Sequence, residues 1–133
     1  MRTTLAALLL LASCASQPQL HVPAENALGP YSASVEAHGL VFVSGKGGKS
    51  GGSFAEESEG AIRAVEKELA RSQLTLADVL SVTVFLTDMA QYAEFNQVYG
   101  RLFPAPYPAR ACVAVSALPA NLRVEIQAVA ARR

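Results

Sequence analysis

Residues 79–86 read Val-Leu-Ser-Val-Thr-Val-Phe-Leu, and this stretch decides the architecture of the chain. β-Branched residues are dense in it, and apolar side chains occupy both odd and even positions. Successive side chains of a strand point to opposite faces of a sheet, so this pattern predicts an inner strand with apolar surroundings on both faces. The other elements are therefore expected to be arranged around a sheet.

The segment before this strand predicts a β-hairpin, a loop and a helix. Tyr31–Glu36 and Leu40–Val43 have strand patterns and are separated by a short turn that contains glycine. Residues 45–52 hold five glycines, which predicts a loop. Ser53 and Glu56 then fit a capping box, in which each side chain bonds to the backbone of the other residue at a helix start. An apolar stripe at helical spacing follows.

The segment after the inner strand predicts a second helix and two final strands. Asp88 suits the helix N-cap, and the prolines of residues 103–108 end the helix. The expected apolar stripe of this helix is Tyr92, Phe95, Tyr99 and Leu102. The strands Arg110–Val115 and Asn121–Ala130 follow, and we expect them to pair as antiparallel neighbours. The element order predicts an α+β fold with two helices on one face of a mixed sheet.

The other face of this sheet is predicted to be bare and apolar, and a soluble monomer rarely exposes such a patch. The sequence therefore predicts a closed oligomer that covers it. Alternation places Arg110 and Cys112 on one face, and Arg123, Glu125 and Gln127 on the bare face. With antiparallel pairing, Arg110, Cys112 and Glu125 share the bare face. The anion that a buried guanidinium needs is then either Glu125 or a ligand carboxylate.

The first residues have the pattern of an export signal. Leu5–Ala12 is an unbroken run of leucine and alanine, too short for a membrane span of about 20 residues. Leu11-Ala12-Ser13-Cys14 resembles the lipobox of bacterial lipoproteins, in which the cysteine is lipid-modified. We therefore expect a signal peptide over 1–13, a lipidated tether over 14–27 and one domain over 28–133. The expected location is the periplasmic side of the outer membrane, with membrane contact through the lipid on Cys14 alone.

Composition and spacing exclude several classes of function. The 133 residues contain 11 Lys and Arg against 11 Asp and Glu, so the basic surface of a nucleic-acid-binding protein is not expected. With 51% hydrophobic residues the chain is predicted to fold. His21 and His38 have no ligand spacing with either cysteine, so neither a zinc site nor a catalytic triad is predicted, and we expect both histidines at the surface.

Six motifs, in this order along the chain, resemble the Rid family, the reactive intermediate deaminases of YjgF type. They are Gly29-Pro-Tyr-Ser32, Leu40-Val-Phe-Val-Ser-Gly45, Val82-Thr-Val-Phe-Leu-Thr-Asp-Met89, Phe95-Asn-Gln-Val-Tyr99, Pro108-Ala-Arg-Ala-Cys-Val113 and Leu118-Pro-Ala-Asn-Leu-Arg-Val-Glu-Ile-Gln-Ala128. The resemblance covers about residues 27–131. It implies a chorismate-mutase-like fold, a homotrimer with sites between subunits, and hydrolysis of 2-imino acids and their enamines to 2-oxo acids and ammonia. It implies no metal or organic cofactor.

The resemblance also implies roles for individual residues. Arg110 matches the family's carboxylate-binding arginine, and Glu125 matches the glutamate near the reacting centre, where it orients or activates water. Backbone groups at Cys112 help to place substrate and water. Tyr31 matches a tyrosine that lines the cleft from the adjacent subunit. The remaining matched cleft positions are Ser44, Gly45 and Asn96.

The chain departs from the family pattern after Ser44-Gly45. Lys46 stands where the family commonly has glutamine, and the loop that follows is shorter and richer in glycine. Either Lys46 is an extra cation beside Arg110 that favours a second anionic group on the ligand, or it points to solvent. Two functions remain open: an enamine/imine deaminase of the cell envelope, or a non-catalytic trimeric module that binds small carboxylates or other proteins.

Overall fold

The structure is a computed structural model, and it describes residues 19–132. The expected signal peptide, Cys14 and the first part of the expected tether lie outside the described residues. The described part of the chain forms six strands and two helices: β1 Leu20–Pro23, β2 Ser32–Ala37, β3 Leu40–Gly47, α1 Phe54–Arg71, β4 Val79–Leu86, α2 Tyr92–Leu102, β5 Ala109–Ala114 and β6 Val124–Ala131. Short 3₁₀ turns lie at Leu76–Asp78, Met89–Gln91 and Pro119–Asn121.

The strands form one mixed sheet in the order β1-β2-β3-β6-β4-β5. All neighbours are antiparallel except β4 and β5, which are parallel and joined through α2. A parallel connection needs a crossover, and the helix provides it. The predicted α+β fold and the predicted inner strand 79–86 are confirmed, because β4 pairs with β6 on one side and β5 on the other.

The predicted pairing of the last two strands is wrong. β4 lies between β5 and β6, so these two strands are not neighbours. The prediction assumed that strands consecutive in sequence pair directly. Here β6 instead enters the sheet between β3 and β4, where its alternating apolar residues Val124, Ile126, Ala128 and Ala130 are buried under the helices.

Two predicted segment boundaries also change. The sequence predicted a tether over 14–27, but Leu20–Pro23 within it forms β1 and pairs with β2. This strand is short and largely exposed at the sheet edge, so it carries little of the apolar periodicity that predicts a strand. The predicted loop 45–52 begins later, because β3 continues through Gly45 to Gly47.

Both helices lie on one face of the sheet, as predicted. The α1 capping box is present: the Ser53 Oγ accepts a hydrogen bond from the Glu56 backbone N–H, and the Glu56 carboxylate accepts one from the Ser53 N–H. Asp88 accepts a hydrogen bond from the Ala90 N–H, and so caps the 3₁₀ turn that leads into α2. The core between helices and sheet includes Val41, Ile62, Leu69, Val84, Phe95 and Ile126.

No helix of residues 19–132 lies over the opposite face of the sheet. Phe42 on β3 is 44% exposed and Val113 on β5 is 42% exposed, and Phe85, opposite Val113 on β4, is partly buried. The predicted bare apolar face is therefore present in the protomer.

The histidines at 21 and 38 are exposed, as expected. Among residues 19–132, no helix is long and apolar enough to cross a membrane.

Candidate functional site

The pairing of β5 with β4 sets the direction of each β5 side chain. Arg110 is opposite Val82, and Cys112 is opposite Val84. Side chains at matched positions of neighbouring strands point to the same face, and Val82 and Val84 are buried beneath the helices. Arg110 and Cys112 therefore lie on the helix side of the sheet, toward α2.

Side chains of α2 hold the Arg110 guanidinium from two directions. Its NH2 group donates hydrogen bonds to the Asn96 Oδ1 at 2.7 Å and to the Tyr92 hydroxyl at 3.3 Å. Its central carbon lies 4.6 Å from the centre of the Tyr99 ring and 5.7 Å from that of Phe95, distances at which a cation is attracted to an aromatic face. No carboxylate pairs with Arg110 among the described residues, so its positive charge is available to a ligand.

Arg110 lines a pocket of about 310 Å³, here called the arginine pocket. Its other walls are Asn96, Tyr99, Gly100, Tyr107 and Pro108. Burial raises the pKa of Tyr99 to about 12, although the Arg110 charge acts in the opposite direction, so this phenol stays neutral. Burial also raises the pKa of the half-buried Cys112 thiol, which keeps it protonated near neutral pH. The pocket thus presents one cation among neutral groups, a setting that suits a carboxylate.

A second pocket, of about 490 Å³, lies on the bare face and is called the glutamate pocket here. It is lined by Tyr31, Ser44, Gly45, Phe85 and Glu125, among others. A side chain at position 45 would collide with the Glu125 carboxyl group, so the absence of one at Gly45 lets this carboxylate lie against the β3 backbone. No described residue donates a hydrogen bond to Glu125, which leaves its oxygens free to bind water.

The structure assigns the predicted site residues to two groups. Tyr31, Ser44, Gly45 and Glu125 meet at the glutamate pocket, whereas Arg110 and Asn96 meet at the arginine pocket with Cys112 beside them on β5. The Ser44 hydroxyl donates to the Ser32 carbonyl at 2.7 Å, so it braces the hairpin beside the pocket.

The prediction that Arg110, Cys112 and Glu125 share one face is wrong within a protomer. Glu125 is opposite Phe85 on the bare face, while Arg110 lies on the helix face. The error follows from the assumed strand pairing, because β5 runs parallel to β4 and is separated from β6 by it. The intramolecular Arg110–Glu125 ion pair, one of the two alternatives left open by the sequence, is therefore excluded.

The interpretation that Lys46 points to solvent is wrong, and within one protomer Lys46 does not lie beside Arg110. A β-bulge between Val43 and Lys46 inserts one extra residue, which turns Lys46 onto the helix face. There its Nζ donates to the Glu68 carboxylate at 3.2 Å, and its side chain is only 17% exposed. Lys46 thus points neither to solvent nor toward Arg110 of the same protomer.

Arg123 also departs from its predicted position on the bare face. It precedes β6, and its backbone N–H and its Nε donate to the two oxygens of the buried Glu57 carboxylate at 2.5 and 2.9 Å. Strand alternation does not apply there, because the strand begins one residue later, at Val124.

Sequence reasoning missed the residues that hold the site in place. The sequence pattern predicts an apolar stripe that includes Tyr92, Phe95 and Tyr99, but in the structure these side chains surround the Arg110 guanidinium. Glu57 and Glu68 occupy positions on the buried face of α1, where the apolar residues Phe54, Ile62, Val65 and Leu69 recur. Acidic residues on such a face indicate buried ion pairs, and this signal was available from the sequence alone.

The chain is similar to proteins of one known family. Residues 22–132 match the family model described as Endoribonuclease L-PSP. Reactive Intermediate Deaminase A, chloroplastic, of Arabidopsis thaliana is 38% identical over 111 residues, which cover 78% of this chain and 59% of that protein. The putative reactive intermediate deaminase TdcF of Escherichia coli K12 is 32% identical over 118 residues, which cover 82% of this chain and 92% of the relative.

Solved structures share the fold. The crystal structure of the yeast protein YEO7 superposes with a TM-score of 0.82 at 35% identity and covers 87% of this chain and all of the yeast chain. E. coli TdcF with bound serine superposes with a TM-score of 0.76 at 31% identity and covers 80% of this chain and 91% of its own. The YjgF-type architecture expected from the sequence motifs is confirmed.

Proposed function

Because this chain belongs to the Endoribonuclease L-PSP family, whose members include reactive intermediate deaminases, we propose that it hydrolyses 2-imino acids and their enamine tautomers. The products are 2-oxo acids and ammonia. The observation that supports this most directly is the unpaired Arg110 guanidinium, held by Asn96 and stacked on Tyr99 in a pocket of neutral groups. A substrate carboxylate is the anion that this arrangement accepts.

The proposed site is completed between subunits. Arg110 and Glu125 lie on opposite faces of one protomer, so a single protomer offers each substrate only half of the required groups. β5 is an edge strand, and the bare face beside it exposes Phe42 and Val113. A head-to-tail contact that covers this face closes into a homotrimer and brings the arginine pocket of one subunit against the glutamate pocket of the next.

In the proposed reaction the protein mainly positions the substrate and one water molecule and assists proton transfer. Arg110 binds the substrate carboxylate, and backbone groups at Cys112 help to place the substrate beside β5. The imine nitrogen, when protonated, makes its carbon electrophilic. Glu125 of the partner subunit accepts a proton from water as the water oxygen bonds to this carbon. The resulting carbinolamine loses ammonia after its nitrogen is protonated, which leaves the 2-oxo acid. Tyr31, Ser44 and Gly45 line this side of the cleft.

An imine-hydrolysis assay tests the proposal. An amino-acid oxidase generates 2-iminopropanoate in the presence of the protein, and loss of the imine is followed by trapping with semicarbazide. We expect wild-type protein to accelerate hydrolysis and Arg110→Ala to reduce kcat/KM at least about a hundredfold, since a charge-assisted bidentate contact is lost.

Arg101→Ala is the matched control, because Arg101 is exposed at the end of α2 and lies outside both pockets. Hydrolysis by the wild type no faster than in buffer, from a folded trimer, would contradict the deaminase proposal. Carboxylate binding without turnover would support a non-catalytic binding module instead.

We also propose that the protein is exported and anchored through a lipid on Cys14, which lies outside the described residues. The lipobox motif Leu11–Cys14 supports this proposal. In a bacterial host, a labelled fatty acid should be incorporated into the full chain and not into Cys14→Ser. Equal labelling of both, or of neither, would contradict the lipid anchor.

A further inference from the structure

A third cavity, of about 660 Å³, lies between α1 and the β2–β3 strands and is called the lysine cavity here. Three of its lining residues have a small side chain or none: Ala33 on β2, Gly47 on β3 and Ala64 on α1. The segment around Glu25 forms one rim. Neither the proposed hydrolysis nor the packing of the core accounts for this space.

Cations outnumber acids on its walls. Lys46, Lys67 and Arg71 line the cavity together with Glu68 and Glu25. Glu68 is buried and already satisfied, since its carboxylate accepts from the Ser34 hydroxyl at 2.8 Å and from the Lys46 Nζ at 3.2 Å.

Two of the cations remain available to a ligand. The Arg71 guanidinium approaches Glu68 only to 3.9 Å and is 41% exposed. Lys67 has no ion-pair partner among the described residues. These two residues are four apart on α1, a spacing at which like charges repel and weaken a helix. An anion placed between them relieves this repulsion, and Lys46 lies on the opposite wall to complete the positive surroundings.

The lysine cavity adjoins the glutamate pocket. The lysine cavity lies on the helix face and the glutamate pocket on the bare face, and Tyr31, Gly45 and Gly47 line both. The two spaces thus meet at the edge of β3, where this strand continues beyond its pairing with β2. At this edge a ligand beside Glu125 can extend past Tyr31 toward the lysine cavity.

We propose that the lysine cavity binds a second anionic group of the substrate, so that the preferred substrates are imines of dicarboxylic 2-amino acids. This inference rests on the proposed function, because it takes the glutamate pocket as the place of reaction. Arg110 of the partner subunit binds the carboxylate next to the imine, and Lys67 and Arg71 bind the distal one. A substrate with an apolar end offers no anion to Lys67 and leaves Arg71 with only its long contact to Glu68, which selects against it.

Binding of two product-like acids tests the inference without requiring turnover. The probes are 2-oxoglutarate and 2-oxopentanoate, which share a five-carbon chain and differ in the distal carboxylate. Isothermal titration of the full chain at low ionic strength measures each Kd. We expect 2-oxoglutarate to bind at least about tenfold more tightly than 2-oxopentanoate, the effect of one charge-assisted contact.

The double substitution Lys67→Gln with Arg71→Gln should remove this preference. Both side chains are exposed enough for the variant to fold, and its melting temperature verifies this. Lys49→Gln is the matched control, because it removes a positive charge from the exposed glycine-rich loop outside the cavity and should keep the preference.

The outcomes separate the two proposals. Equal Kd values for both acids in the wild type overturn the distal-anion subsite and leave the deaminase proposal standing. A preference that persists in the double variant overturns the subsite as well. Binding of neither acid overturns the subsite together with the carboxylate-binding cleft on which it depends.

Discussion

At the scale of single residues, the site depends on buried charges whose partners come from other elements. Glu57 on α1 is fully buried and holds both the backbone and the guanidinium of Arg123, which lies two residues before Glu125. Removing the partner of a buried carboxylate lowers the free energy of unfolding much more than removing the partner of an exposed one. This pair therefore fixes the start of β6, and through it the position of Glu125.

Glu57→Gln should lower the free energy of unfolding by about 2 kcal/mol, because the ion pair is lost while the amide oxygen still accepts one hydrogen bond. Glu59→Gln removes the same charge from the same helix, but its pair with Arg63 is exposed, so we expect a loss below about 0.5 kcal/mol. Urea denaturation measures both. Equal losses in the two variants would show that Glu57 is not a buried anchor.

The Cys112 thiol should react slowly. Burial raises its pKa, so at a given pH a smaller fraction is thiolate, and the thiolate is the reactive form. We expect the folded Cys14→Ser variant, which retains this single thiol, to be alkylated by iodoacetamide at pH 8 more slowly than the same chain in urea. The rate should rise with pH to a midpoint above that of a free thiol. Equal rates in folded and unfolded protein would contradict this.

At the scale of elements, the sequence predicted most of the local structure. The capping box of Ser53, the inner strand 79–86 and the hairpin of β2 and β3 are confirmed, because each depends on side-chain periodicity or a capping motif that the sequence displays. The β3 bulge cannot be predicted from side-chain periodicity or from a capping motif. It shifts the register by one residue, and that shift alone decides whether Lys46 faces the bare side or the helices.

The glycine-rich segment after β3 has a packing role that composition does not show. At Gly48, a side chain would collide with the backbone carbonyl of Glu57, and a side chain at Gly60 on the same helix would press against the Gly48 backbone. The loop thus lies directly on the first turns of α1. Since backbone cannot move aside as a flexible side chain can, this contact requires glycine.

Gly48→Ala should therefore lower the free energy of unfolding by about 1–3 kcal/mol, the usual cost of overpacking a tight contact. Gly29→Ala is the control, because an added methyl group there meets nothing within 4 Å, and we expect a change within about 0.5 kcal/mol. Thermal unfolding of both variants measures the difference. Equal stability would mean that the loop does not pack closely on α1.

At the scale of the whole molecule, the site could be predicted only in part. The motifs identified Arg110 and Glu125 as candidates, but their placement in one protomer was wrong, because the order of strands in a sheet is a long-range property that local patterns do not encode. The structure resolves this by placing them on opposite faces of the sheet. The proposed function joins them by a second subunit, which would also cover the bare apolar face.

The central claim is that each active site combines Arg110 of one subunit with Glu125 of the next. The most direct test refolds a 1:1 mixture of Arg110→Ala and Glu125→Gln chains and measures imine hydrolysis. Each variant alone should be inactive. In random mixed trimers, about a quarter of the sites pair an intact Arg110 with an intact Glu125, so about a quarter of wild-type activity should return.

A mixture as inactive as the separate variants, although mass measurements show mixed trimers, would contradict the shared site and place both residues' functions within one subunit.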